Sequence, residues 1–85
     1  MNKIESWIVD WFDTNTDAEK NELIENMNEN YFLKGWIDSF KFISFISDIE
    51  ENFNINFSNN EFQNRTFATI SGISKIVEGK LNENF

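Results

Sequence analysis

Apolar residues return along this chain with a helical period. In "NKIESWIVDWFD", Ile4, Trp7, Ile8, Trp11 and Phe12 fall at i, i+3, i+4, i+7 and i+8, while Lys3, Glu5 and Asp10 take other faces. That pattern predicts a helix over about residues 3 to 13. "DTNTD" breaks it. Thr16 and Glu19 then have the spacing of a capping box, in which hydroxyl and carboxylate satisfy each other's free amides. Leu23, Ile24 and Met27 give residues 17 to 28 a weaker apolar face, which predicts a short helix inside a long connection. Tyr31, Phe32 and Trp36 are placed to pin this connection to the core, and Gly35 supplies a turn with positive φ.

The clearest period follows Asp38. Phe42, Phe45, Ile46, Ile49 and Phe53 mark one face of a helix over 39 to 53, with Phe40 and Ile43 on an adjoining strip. Ile55 and Phe57 are expected to plug the core. Ser58 and Glu61 repeat the capping-box spacing and start a short helix through Phe62. Thr69 is expected to cap a last helix, about 70 to 80, with Ile70, Ile73, Ile76 and Val77 as its stripe. Gly72 weakens that helix, which suggests a close approach. Lys75 and Lys80 are expected near its C-terminal end, where the helix dipole favours cations. The predicted fold class is all-α: a small four-helix bundle of three longer helices and one short, with a long first loop.

Composition narrows this further. The 85 residues make one domain, 1–85, and without cysteine it has no disulfide framework or thiolate metal site. Ten Phe and three Trp supply the large buried side chains that so small a core needs. A net charge of −8 disfavours nucleic acid and anionic membrane surfaces, and suits a partner with basic patches. No stretch reaches the roughly 18 apolar residues of a membrane span, and the N-terminus does not read as a signal peptide. A cytoplasmic monomer is expected.

The chain also has no histidine. Ser-His-Asp and Cys-His nucleophile sets cannot be assembled, and there is no glycine-rich phosphate loop. Glu50 and Glu51 are adjacent on a helix and do not face each other across a substrate, so a solvated acidic face is expected rather than acid–base catalysis. Catalysis is not expected. What stands out is Asp38-Ser39. Asp38 is a natural N-cap, which leaves Ser39 at the first helical position. An unactivated hydroxyl is a poor nucleophile, but it is an acceptor if another enzyme brings the base. A phosphate joined there would lie at the positive end of the helix. On the dipeptide alone, the plain reading is a helix start.

The dipeptide sits within a larger pattern. Phe32, Gly35, Asp38-Ser39-Phe40, the Ile49-Glu50-Glu51-x-Phe53 helix end and the Thr69-Ile70 helix start, in this order and spacing, resemble the acyl carrier protein family over nearly the whole chain. The resemblance implies a 4′-phosphopantetheine arm on Ser39, with Asp38 as its motif partner. The arm would be added from coenzyme A by a phosphopantetheinyl transferase that brings its own magnesium. Its thiol would carry an acyl or aminoacyl group as a thioester, loaded by an activating ligase and unloaded by an acyltransferase. By the same resemblance, partners would dock on Phe40, Ile43, Asp48, Glu50 and Glu51 together with Asp38. Phe40 replaces the family's usual leucine. Gly35 lies four residues before the serine, as in D-alanyl carriers and stand-alone carriers of specialised pathways, where fatty-acid carriers commonly have three. Lys41 and Ser44 stand where fatty-acid carriers often have acids. The aromatic stripe is expected to leave little room for a long acyl chain. Expected is a specialised carrier, with a D-alanyl carrier for cell-envelope polymers as its near alternative. A small acidic interaction module without a prosthetic group is the alternative from another class.

Overall fold

A computed structural model describes residues 1–83. The described chain is all-α, with five α-helices and one 3₁₀ turn: α1 Lys3–Asn15, α2 Lys20–Glu25, α3 Ser39–Phe53, α4 Asn59–Phe62, the 3₁₀ turn Arg65–Ala68, and α5 Ile70–Glu83. Three long helices and two short ones form a helical bundle, as the periodicity predicts. α1 and α3 match the apolar stripes to within two residues, while α5 runs three residues past its expected end. Lys75 therefore lies mid-helix, and Lys80 alone remains in the last turn.

Local chemistry sets most boundaries. Asn2 and Glu5 form a capping box at the start of α1, and Ser58 with Glu61 forms the expected one at α4. The expected box at Thr16 and Glu19 does not form. The Thr16 hydroxyl is already engaged, donating to the Phe12 carbonyl at 2.7 Å and accepting from the Ala18 amide at 3.1 Å. It closes α1 instead of opening α2, which starts late at Lys20 and lacks a side-chain cap. Residues 17 to 28 are thus half helix, the single short α2, flanked by an irregular entry and a turn.

The core runs between α1, α3 and α5. Ile8, Phe12, Tyr31, Phe45, Ile49, Ile70, Ile73 and Val77 are wholly buried. α1 lies close along α5 and against α2. α3 meets α1 through rings, with centroids 4.9 Å apart for Trp11–Phe45, 5.1 Å for Phe12–Phe45 and 5.4 Å for Trp7–Phe53. Such tilted and edge-on pairs are the favoured aromatic geometries. Trp7, Phe53 and Phe57 are partly buried at the edge of this core.

The first connection is buckled to the far end of the chain. The Tyr31 amide donates to the Ala68 carbonyl at 2.9 Å, the Tyr31 hydroxyl to the Phe67 carbonyl at 2.6 Å, and the Ser71 amide to the Met27 carbonyl at 2.9 Å. Burial pushes the Tyr31 phenol far above its ordinary pKa, so it stays a donor. Thr69 caps α5 as expected, its hydroxyl accepting from the Gly72 amide at 2.9 Å. No described helix is long and apolar enough to cross a membrane.

Candidate functional site

The turn before α3 is tightly specified. The Asn30 side chain accepts from the Phe32 and Leu33 amides, the Gly35 amide donates to the Phe32 carbonyl, and the Trp36 amide donates to the Tyr31 carbonyl. Gly35 takes φ +72°, a left-handed conformation that suits a residue without Cβ. Trp36 and Ile37 are then buried, and the Trp36 indole donates to Glu22 at 3.2 Å. These anchors fix where the chain re-emerges.

It re-emerges at Asp38. With φ −104° and ψ 178°, Asp38 is the N-cap of α3, its carboxylate accepting from the Lys41 amide at 2.8 Å. Ser39 follows as the first helical residue and is exposed. The amides of Ser39 and Phe40 belong to the first turn, where no preceding turn can accept them. Phe40 is 85% exposed and Ile43, one turn on, 65% exposed, forming a short apolar ridge beside the serine.

The three downstream carboxylates are not gathered around Ser39. Asp48 turns toward α1 and accepts from the Trp11 indole at 2.7 Å. Glu50 is half-buried and accepts from the Phe57 amide at 2.9 Å, tying the end of α3 to the next loop. Glu51 is exposed, at the rim of a shallow depression with Trp7 and Asp48. It is twelve residues from Ser39, about 18 Å of helical rise. Asp38, Ser39, Phe40 and Ile43 therefore lie together at the start of α3; Asp48, exposed, also ties α3 to α1, Glu50 ties it to the next loop, and Glu51 is a surface charge near the far end of the helix.

A cleft of about 760 Å³ lies on the other side of Asp38, lined by residues 14–18, Glu22, residues 34–38 and Lys41. The Lys41 ammonium reaches across and donates to the Asn15 carbonyl at the end of α1, and the Lys34 ammonium sits 5.9 Å from the centre of the Trp36 ring. Neither the cleft nor the Lys41 tie was among the sequence expectations. Both depend on α1 ending next to the start of α3, which no local pattern encodes. Among the described residues no group of three or more His, Cys, Asp or Glu is arranged to hold a metal ion.

Comparison with protein-family models, curated proteins and solved structures finds no match to this chain.

Proposed function

We propose that this protein is a carrier, bearing a 4′-phosphopantetheine on Ser39 and passing a thioester-bound acyl or aminoacyl group between enzymes of a specialised pathway. The observation that carries this reading is the placement of Ser39: exposed, first in α3, directly after a carboxylate that caps the helix. The site fits the group on three counts. An incoming enzyme can reach the hydroxyl. A phosphodiester there would meet the free first-turn amides at the positive helix end, in a position that favours an anion. The nearest carboxylate, Asp38, is exposed and already committed to the Lys41 amide, so water screens its repulsion.

The attachment balances as a phosphoryl transfer. Ser39 Oγ bonds to the coenzyme A phosphorus nearest the pantetheine. The pyrophosphate P–O bond breaks, 3′,5′-ADP leaves, and the hydroxyl proton passes to a base on the transferase. The chain's lack of histidine is compatible with that role, because a base beside the arm would promote hydrolysis of its thioester. Phe40 and Ile43 would contact partners through apolar packing, with Asp38 and Glu51 acting on the rate of encounter.

An intact-mass comparison tests this. Wild type and Ser39→Ala are incubated with coenzyme A, magnesium and a broad-specificity phosphopantetheinyl transferase. One phosphopantetheine on wild type and none on the mutant is expected. A folded wild type that several transferases leave unmodified would overturn the carrier reading. The exposed Phe40–Ile43 ridge favours, as second reading, an acidic helical module that binds a basic partner without a prosthetic group. That reading predicts that Ser39→Ala keeps full function. A D-alanyl carrier is separated from other carriers by which adenylating enzyme, given alanine or fatty acids, charges the holo form.

A further inference from the structure

The outward face of α3 is uneven in both bulk and charge. Phe40, Ser44, Ser47, Asp48 and Glu51 recur at i, i+4, i+7, i+8 and i+11, and all are exposed. Phe40, with Ile43 beside it, raises an apolar ridge on the first half, while Ser44 and Ser47 leave the middle low. From Ser39 to Ser47 the helix carries Lys41 and no acid; from Asp48 to Phe53 it carries Asp48, Glu50 and Glu51 and no base. That order runs against the helix dipole, which favours acids at the start and cations at the end, so α3 alone gains nothing from it.

The same order is self-complementary when two copies of the helix run antiparallel. A two-fold axis crossing α3 midway between Ser44 and Ser47 sets Lys41 of each copy alongside Asp48 and Glu51 of the other. Lys41 and Asp48 are two turns apart and share one flank of the helix, a flank that this axis keeps on the same side in both copies. Both have capacity to spare. Lys41 donates one N–H to the Asn15 carbonyl, and Asp48 accepts the Trp11 indole on Oδ2, which leaves two N–H groups and Oδ1. Each ridge then lies over the low serine step of the other copy, and Phe40 and Ile43 leave water. Eight of the fifteen acids lie in residues 1–29, outside this face, and exposed charges farther apart than about 8 Å are largely screened at physiological salt. We propose that a second copy of this chain covers the outward face of α3, giving a reversible antiparallel dimer in place of the expected monomer. A contact along one helix falls below the roughly 1,200 Å² of standard interfaces, so the pair exchanges readily. The ridge is open to other proteins whenever the pair parts. The proposal uses no chemistry at Ser39 and stands apart from the carrier reading.

Sedimentation velocity from about 10 μM to about 1 mM protein, at about 0.15 M salt, tests the pairing. A sedimentation coefficient that climbs toward that of a dimer is expected. A monomer at every concentration would overturn the proposal and leave the ridge to a different protein. Phe40→Ser, at an exposed position, should weaken association about tenfold or more with unchanged helix content. Lys41→Glu should also weaken it, and Lys41→Glu combined with Glu51→Lys should restore it. Association that survives Phe40→Ser, or a double variant that stays as weak as Lys41→Glu, would place the contact elsewhere and overturn the proposal. The chain has no cysteine, so single substitutions report direction. Ser44→Cys, near the axis, should oxidise to a linked dimer, and Glu51→Cys, far from it, should not. Equal linking of both would mean parallel helices and would overturn the antiparallel pair.

Discussion

A methyl group placed on Gly72 would come within 1.8 Å of the Thr66 carbonyl oxygen, whereas one on Gly79 meets nothing within 4 Å. The same substitution should therefore have opposite signs two turns apart on α5. Gly72→Ala must push the 3₁₀ turn off the helix and should cost about 2 kcal/mol, as overpacking does. Gly79→Ala should add about 0.5–1 kcal/mol through helix propensity alone. Urea midpoints of the two variants, with unchanged slopes, check both. Ser74 presents a related case. Its hydroxyl is buried without a partner among the described residues, so Ser74→Ala should be neutral or stabilising by about 1 kcal/mol. A clear loss in the same urea series would mean that the hydroxyl is satisfied in solution.

Within α3, neighbouring carboxylates separate structural from surface work. Glu50→Ala removes the acceptor of the Phe57 amide and should cost about 1 kcal/mol. Glu51→Ala should stay within about 0.5 kcal/mol, as exposed positions usually do, yet slow association with a basic partner, most visibly at low salt. Thermal melts and stopped-flow rates distinguish the two. The contrast also shows what could be read along the chain. The stripes of α1 and α3, the Asp38 cap and the Ser58–Glu61 box need only residues within a turn or two, so sequence alone locates them. Thr16 fails as a cap for α2 because its hydroxyl has a nearer acceptor, the Phe12 carbonyl behind it. The Trp11–Asp48 bond spans 37 residues and the Lys41–Asn15 bond 26. Nothing local distinguishes an acid that will meet an indole from one that will meet water, and only the family resemblance sets Asp48 among the docking acids. Ser39 was legible as a first helical position; the cleft beside it was not.

Across the whole molecule, one ion pair links the short α4 to α5. Lys80 lies 2.9 Å from Glu61, both side chains partly exposed. Desolvation pushes the Glu61 carboxyl up, but the Lys80 ammonium and the Ser58 amide together outweigh it and hold the group below its ordinary value of 4.5. A depressed folded-state pKa contributes stability that is fully present above the unfolded value and is lost as pH falls through the folded one. Stability should therefore decline below about pH 4.5, the unfolded value, and Lys80→Gln should make that acid decline shallower. Lys75→Gln, at an exposed position of the same helix, changes net charge equally, so the difference between the two variants' pH–stability curves isolates the pair.

The buckle between the first connection and the start of α5 has a consequence for how the protein opens. Tyr31 and Met27 precede α3, while Phe67, Ala68 and Ser71 follow it, so the bonds joining them close a loop of chain of which that helix is one side. α3 is fastened to α1 by side chains: aromatic packing and the bonds of Asp48 and Lys41. The amide protons of Tyr31 and Ser71 should then trade with deuterium only when the entire molecule unravels. Those at the exposed start of α3, around Ser39, should trade far sooner and leave the loop closed. Under the carrier proposal, the serine would then be offered to a partner at a helix end that opens without loosening the frame.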